Sequence, residues 1–434
     1  MNPMKLFAVT GRPILRSRSP GIFNAAFAEQ GLSARYTRLA SETAGQALDL
    51  FERIGLSGLN VTAPFKLDIV SRLSALDPIA EKVGAVNTVV REGGGLKGYN
   101  TDAEGVVRAL DGAGAGIGGR KALVFGAGGA GRAAAFALLG RNAEVTILDR
   151  NRPKADAAAA AIGCAADSLD RAALHVPDAS IIVTTIPPRS FSLDALPVHS
   201  GQVLFEASYG NEALARAATG KGLRAVRGEE WLKGQAVPAY RLFVGRDMPE
   251  ENMDWPRLLR PSPAEKRDAV ALVGFMGSGK SEVGRGLAAK LGYDFLDLDE
   301  RIESRTGISV PDIFRKHGEA YFRNAEKEAL AELASSRRLV LACGGGVVLD
   351  EDNRRRLAGG FLVVWIVTDL ETIFKRAGDR GRPMLHHPAP LDRARELWDA
   401  RGDRYALGSD LIVSNEGPLE RTIGTIDAEI HSAL

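Results

Sequence analysis

ALVFGAGGAGRAAAFALL, from Ala122 to Leu139, reads as a strand, a glycine-lined turn and the opening of a helix. The run Ala122 to Phe125 is apolar throughout, as a strand covered on both faces must be. Gly126, Gly128 and Gly131 then keep the GxGxxG spacing, ahead of the alanine-rich stretch Arg132 to Leu139. With no bulky side chain in the way, the backbone N–H groups of Gly126, Ala127, Gly128, Gly129, Ala130 and Gly131 can approach a pyrophosphate at the helix N-terminus. The next apolar run, Val145 to Leu148, delivers Asp149 to the place where an acidic side chain meets a ribose. Strand, turn, helix, strand and acid together predict a dinucleotide site. The runs Ile181 to Thr184 and Val203 to Phe205 extend the same parallel sheet.

Downstream, AVALVGFMGSGKS, from Ala269 to Ser281, uses the same strand-to-turn grammar with a different ending. Gly274, Gly279, Lys280 and Ser281 hold the spacing of a P-loop. In such a loop the N–H groups of residues like Gly277, Ser278 and Gly279 cradle phosphates. Lys280 reaches the β- and γ-phosphates, the Ser281 hydroxyl ligates Mg²⁺, and Glu282 joins the nucleotide-binding stretch. ATP and Mg²⁺ are the implied cofactors. The P-loop alone leaves ATPase, GTPase and small-molecule kinase open; a guanine-reading NKxD motif is absent from the sequence. Further apolar runs at Leu339 to Ala342, Phe361 to Val367 and Leu411 to Val413 complete a second α/β series. Between the two series, Met248 to Asp268 carries four prolines and many charges without a sustained period, the composition of a linker.

Composition excludes several function classes. The 434 residues are 45% hydrophobic and 25% charged, so the chain can bury cores and is not globally disordered. Lys+Arg 56 against Asp+Glu 54 leaves a net charge of +2, which gives no electrostatic case for nucleic acid or membrane partners. Two cysteines, Cys164 and Cys343, and six histidines without metal-site spacing argue against a disulfide scaffold and a zinc site. The opening MNPMKLFAVTGRP is too short in its apolar run for a signal peptide, so a cytoplasmic location is expected.

Four polar clusters precede the first glycine loop: Ser17-Arg-Ser19-Pro20, Asn60-Val-Thr62-Ala-Pro64-Phe65-Lys66, Gly84-Ala-Val-Asn87-Thr88 and Gly98-Tyr-Asn100-Thr101-Asp102. Singly, their asparagines read as turn residues. In this order, and with Gly228-Glu-Glu-Trp-Leu-Lys-Gly-Gln235 downstream, residues 5–250 resemble shikimate dehydrogenases. The resemblance implies Lys66 as the proton donor at a carbonyl, coupled to Asp102. It implies Ser17 and Ser19 for the substrate carboxylate, Asn60, Thr62, Asn87, Tyr209 and Gln235 for hydroxyls, and Gly228 beside the nicotinamide cofactor. The pattern departs at Arg16, Phe23, Thr185 to Arg189 and Trp231. It departs also at Asp149-Arg150-Asn151, where Asp149 suits a free ribose diol while Arg150 and Arg152 suit a 2′-phosphate. NADP and NAD both stay open on that motif.

Asp297-Leu-Asp299, Glu319 with Phe322-Arg323 and Glu326, Gly344-Gly345-Gly346, Arg382-Pro-Met-Leu385 and Arg401 make residues 268–420 resemble shikimate kinases. By that resemblance Asp299 activates the substrate hydroxyl, Asp297 supports the metal, and Arg323 and Arg401 grip the carboxylate. Gly344, Gly345 and Gly346 wall the pocket, and Arg382 neutralises the transferring phosphoryl group. The expected organisation is a substrate-binding domain over 1–105 completed by about 233–250, a Rossmann-type NAD(P) domain over 106–232, a linker over 251–267 and a kinase over 268–434. Such a chain would reduce 3-dehydroshikimate to shikimate and phosphorylate the product. The alternatives are an NAD-preferring quinate or shikimate dehydrogenase beside the kinase, or one half serving as a non-catalytic regulatory module.

Overall fold

The computed structural model describes residues 4–377 and 390–433. The chain forms two compact units, one of residues 1–56 with 256–434 and one of residues 57–255. The expected substrate domain is therefore divided at Leu56.

Residues 57–255 contain a six-stranded parallel sheet in the spatial order Arg224–Val226, Val203–Glu206, Ile181–Thr184, Lys121–Phe125, Glu144–Asp149 and Ala165–Ser168. This is the doubly wound dinucleotide-binding order, with its switch point at the strand Lys121–Phe125. Side chains alternate across a strand, so Ala122 and Val124 pack in one core layer while Leu123 and Phe125 pack in the other. That two-sided burial explains the uninterrupted apolar runs. The strands Ala165–Ser168 and Arg224–Val226 are short edges with polar or charged residues, which a pattern of apolar runs does not mark. A smaller sheet joins Gly58–Val61, Thr88–Glu92 and Gly95–Tyr99 antiparallel, with Ala75–Leu76 parallel at its edge.

Helix Asp102–Gly112 packs against helix Gly228–Val244 through two glycines. A Cβ on Gly105 would stand 2.9 Å from the Gln235 nitrogen, and one on Gly234 would stand 2.7 Å from the Gly105 oxygen. The backbones can approach this closely only because both positions lack a side chain.

In the other unit all strands are parallel, in the order Asp294–Asp297, Leu339–Ala342, Val270–Val273, Leu362–Val367, Leu411–Ser414, Ala34–Ala40 and Lys5–Gly11. The P-loop strand Val270–Val273 is central and fully buried. Residues 1–56 thus continue the sheet of the second α/β series, which sequence patterning did not anticipate. Side chains tie the two segments together. Buried Glu429 accepts the N–H groups of Ile14 and Leu15, each at 2.7 Å, Arg421 pairs with Glu42 at 3.2 Å, and Arg53 pairs with Glu416. The proline-rich segment is not featureless, since Ser262 and Glu265 cap the short helix Pro263–Lys266 reciprocally. No helix among the described residues is long and apolar enough to cross a membrane.

Replacing Gly234 with Val should separate the two packed helices and cost about 1–3 kcal/mol, the usual penalty of overpacking. The expected result is a lower unfolding midpoint for residues 57–255 with the unfolding of residues 256–434 unchanged, read by hydrogen exchange across the two units. An unchanged midpoint would mean that the helices do not meet at Gly105.

Candidate functional site

In residues 57–255, Lys66 Nζ lies 2.5 Å from Asp102 Oδ2, with both side chains largely buried. Asp102 opens helix Asp102–Gly112, and its carbonyl accepts the Trp231 indole N–H at 3.1 Å. Trp231 is buried and packs on Phe205, so it braces the acid from behind. The glycine loop reaches the same place: a Cβ on Gly129 would stand 2.8 Å from the Lys66 Cβ. The expected proton donor and the expected cofactor loop are therefore in contact.

A polar network stands beside this pair. Asn87 donates to the Thr101 hydroxyl and to Gln235 Oε1, each at 2.9 Å, and accepts from the Thr101 N–H at 2.8 Å. Asn60 donates to the Thr88 hydroxyl at 2.9 Å and to the Asn87 carbonyl at 3.2 Å. Asn60, Asn87 and Gln235, from separate motifs, are thus bonded in a row, and Thr88 and Thr101, to which the resemblance gives no role, brace Asn87 and Asn60. The signal for those threonines was adjacency alone, since each neighbours a chosen residue. Thr62 is half-buried one turn before Lys66, and Tyr209 is half-buried after the strand Val203–Glu206. Gly228 opens helix Gly228–Val244, where a Cβ would meet the Ser208 backbone.

Along the glycine loop, Gly126 has φ +106 and Gly128 precedes helix Gly129–Leu139. Asp149 Oδ2 accepts the Ala127 N–H at 2.8 Å, and its Oδ1 accepts the Asn151 N–H at 2.9 Å. Asn151 in turn caps helix Arg152–Ile162, and Arg152 is held by Asp156 and Asp167. Arg150 is exposed and forms no ion pair among the described residues.

In the unit of residues 1–56 and 256–434, Ser17 and Ser19 are buried at the start of helix Ser19–Glu29. The Ser17 carbonyl accepts two bonds from Arg38, at 2.7 and 3.2 Å. In the P-loop, Gly277 and Gly279 have φ +82 and +87, and Lys280 Nζ is held by the Gly274 and Phe275 carbonyls at 3.0 and 2.8 Å. Asn415 and Thr368 donate to the Ser278 carbonyl at 2.8 and 3.2 Å and fix the loop from outside. Glu282 is exposed in the first turn of helix Lys280–Leu291. Nothing in the sequence marked Asn415 or Thr368, because their role depends on strand order.

Ser281 Oγ donates to Asp297 Oδ2 at 2.6 Å, and Asp297 Oδ1 accepts the Asp299 N–H at 3.0 Å. Two hard oxygen donors side by side suit Mg²⁺, which takes one or two protein oxygens beside phosphate. Burial, and next the Asp297 charge, push the Asp299 carboxyl up to about 6, and its Oδ1 has no hydrogen-bond partner. The triple glycine closes against these acids: a Cβ on Gly344 would stand 2.8 Å from Asp299 Oδ1. A Cβ on Gly346 would collide with the Arg323 guanidinium. Arg323 is paired with Glu326 at 2.9 Å and Glu319 at 3.1 Å, and burial pushes Glu326 up to about 7. Buried Arg401 donates to the Gly345 carbonyl at 3.4 Å. Cys343 is buried, and burial raises its thiol, as befits a packing residue. Arg382 lies outside the described residues.

Comparison with known proteins matches two segments of the chain to two families. Residues 9–89 match the shikimate dehydrogenase substrate binding domain, and residues 276–428 match shikimate kinase. The shikimate dehydrogenase (NADP(+)) of Anaeromyxobacter dehalogenans is 40% identical over 261 residues, covering 57% of this chain and 94% of that protein. That of Halobacterium salinarum is 38% identical over 255 residues, covering 57% and 96%. Among solved structures, the Thermus thermophilus shikimate 5-dehydrogenase in complex with NADP(H) and shikimate aligns with a TM-score of 0.52 at 30% identity. It covers 59% of this chain and 99% of that one. The Mycobacterium tuberculosis shikimate dehydrogenase aligns with a TM-score of 0.51 at 31% identity, covering 59% and 98%.

Proposed function

The chain belongs to the shikimate dehydrogenase family and continues into a shikimate kinase domain, and from that premise we propose how its residues divide two consecutive reactions. It is a bifunctional enzyme of the shikimate pathway that reduces 3-dehydroshikimate to shikimate with NADPH and phosphorylates shikimate with ATP. We assign the substrate domain to 1–105 with 233–250, the NADP domain to 106–232, the linker to 251–267 and the kinase to 268–434. We assign both reactions to the cytoplasm.

The observation that carries the first reaction is the Lys66–Asp102 pair packed on the glycine loop. Bound NADPH supplies the hydride. Lys66 gives its proton to the carbonyl oxygen as hydride reaches the carbon, and Asp102 keeps the ammonium aimed. Asn60, Thr62, Asn87, Tyr209 and Gln235 orient the ring hydroxyls, and Ser17 and Ser19 take the carboxylate. Gly126, Ala127, Gly128, Gly129, Ala130 and Gly131 receive the pyrophosphate, Gly228 borders the nicotinamide, and Asp149, Arg150 and Asn151 border the adenosine ribose. Unpaired Arg150 suits a 2′-phosphate, and the relatives named above are NADP(+) enzymes. Asp149 speaks for NAD, but both its oxygens are engaged by backbone N–H groups.

In the kinase, Asp299 accepts the proton of the shikimate 3-hydroxyl as that oxygen attacks the γ-phosphorus and ADP departs. A carboxyl raised to about 6 suits this task, because a stronger base than an ordinary carboxylate still stays ionised at neutral pH. Gly277, Ser278, Gly279, Lys280, Ser281 and Glu282 hold the nucleotide. Ser281 and Asp297 would hold Mg²⁺, which when bound neutralises phosphate charge. Arg323 and Arg401 hold the substrate carboxylate against Gly344, Gly345 and Gly346, and Arg382 meets the phosphoryl group in transfer.

Three measurements test these roles. Lys66→Ala should lower the reduction rate by roughly 10²- to 10⁴-fold, the usual share of a general acid, with phosphorylation near normal. A wild-type rate would remove Lys66 from the mechanism. Arg150→Ala should lower kcat/KM for NADPH by about tenfold or more while leaving NADH unmoved, since a charge-assisted hydrogen bond contributes roughly 1.5–3 kcal/mol. Equal loss with both cofactors would place Arg150 away from the 2′-phosphate. The phosphorylation kcat/KM should be flat at neutral pH and bend near pH 6. Protonated Asp299 cannot accept a proton, so the rate should fall about tenfold per unit as pH drops further. A profile with no bend down to pH 5 would mean that Asp299 is not the base.

A further inference from the structure

Tyr209 lies on the turn of residues 207–211, between the strand Val203–Glu206 and the helix Glu212–Gly220. Gly210 in that turn has φ +81, a left-handed conformation that suits glycine, so the chain bends directly after Tyr209. Such a turn keeps its shape only where neighbouring groups take up its polar atoms. Here those groups are two glutamates. Buried Glu206 ends the strand, and its Oε1 accepts the Asn211 side-chain amide at 2.8 Å. Asn211 in turn caps the following helix by accepting the Leu214 N–H at 3.3 Å. Buried Glu229 accepts the Gly210 N–H at 3.0 Å through its Oε1.

Glu229 belongs to the first turn of helix Gly228–Val244, directly after the glycine assigned to the nicotinamide. Arg227 reaches both Glu229 oxygens at 3.4 Å and also pairs with Glu212, which opens the helix after the turn. Gly228 lets the Ser208 backbone come up against the same helix start, since a Cβ there would collide with the Ser208 carbonyl. The turn is thus tied at Ser208, Gly210 and Glu212, on both sides of Tyr209. The cavity left beside Glu206 and Glu229 is about 10 Å³, the lower limit for one water. It has no room for a ligand, so the two carboxylates serve the turn itself.

We propose that Glu229 is a positioning residue of the dehydrogenase, which sets Tyr209 against the substrate by holding the Gly210 N–H. The proposal rests on the reading above, in which Tyr209 orients a ring hydroxyl. Glu229 acts through the turn. Because Gly228 and Glu229 are consecutive, the helix start assigned to the nicotinamide also fixes the turn that carries Tyr209. The hydride donor and the hydroxyl contact are thereby held in one frame. Such placement matters because a shift of about 1 Å can cost on the order of 10²-fold in rate.

The test uses the full chain, with shikimate oxidation by NADP⁺ as the assay. Glu229→Ala removes the acceptor, adds no bulk and suits a helix. It should raise the KM for shikimate about two- to tenfold, the factor one lost hydrogen bond is worth, and change kcat less. Glu229→Gln should keep the wild-type KM, because an amide oxygen still accepts the Gly210 N–H. In a Tyr209→Phe background Glu229→Ala should raise KM no further, since the hydroxyl it positions is gone. Hydrogen exchange over residues 207–211 should quicken in Glu229→Ala and not in Glu229→Gln. Unchanged exchange in Glu229→Ala, an equally impaired Glu229→Gln, or an undiminished effect beside Tyr209→Phe overturns the proposal. Tyr209→Phe with a wild-type KM would count against the reading of Tyr209 alone, since exchange reports the turn directly.

Discussion

Backbone N–H groups reach a phosphate only where no side chain stands between them and it, and both halves of the chain are built around that requirement. At Gly131 a Cβ would overlap the Gly126 carbonyl, and at Gly274 it would stand 2.5 Å from the Ile366 carbonyl. Each turn is also clamped by its neighbouring strands. The Gly126 N–H donates to the Leu148 carbonyl at 2.8 Å, and Asn415 holds the Ser278 carbonyl from the strand end two positions away in the sheet. A side chain at any of these glycines would push the turn off the strands that shape it. Site residues stand against these turns, Lys66 packed on Gly129 in one half and Asp297 bonded to Ser281 in the other. The chemistry depends on them for its geometry.

The two halves then treat buried charge in opposite ways. Lys66 and Asp102 neutralise one another at 2.5 Å, so an ammonium can sit in a largely buried place and still be a proton donor. Asp299 instead stands beside Asp297 and is pushed toward neutrality by burial and by that like charge. Lys280 and Arg323 pull the other way without cancelling the effect. A base needs its proton affinity raised, and the surroundings of Asp299 raise it.

Much of this was legible because the informative residues are local. GxGxxG after an apolar run and GKS after another name their turns within a dozen residues, and the turns form where expected. The bracing groups were not legible, since they meet across long separations. Asn87 and Gln235 are 148 positions apart, and Asn415 is 137 from Ser278. Glu326 was readable as the i+3 partner of Arg323, yet the consequence of burying it was not. The sheet order of the kinase unit was not legible either. Strands such as Val270–Val273, Leu339–Ala342 and Leu362–Val367 are short apolar runs, and nothing in such a run says which neighbour it pairs with.

That pairing carries a consequence of its own. Leu411–Ser414 would otherwise be an edge strand, with a row of unpaired backbone groups, and Ala34–Ala40 covers it in parallel register with Leu411 opposite Arg38. Arg38 holds the Ser17 carbonyl, and Asn415, one residue past the partner strand, holds the P-loop. A slip of one residue would turn the Arg38 side chain to the opposite face and release Ser17, because side chains alternate along a strand. The register between these two strands must therefore be kept for the Ser17 turn to keep its shape. The apolar faces of both strands, buried at Leu39, Ile412 and Val413, are what keep it. A residue placed by resemblance in the dehydrogenase site is thus held in position by a strand that pairs with the kinase sheet.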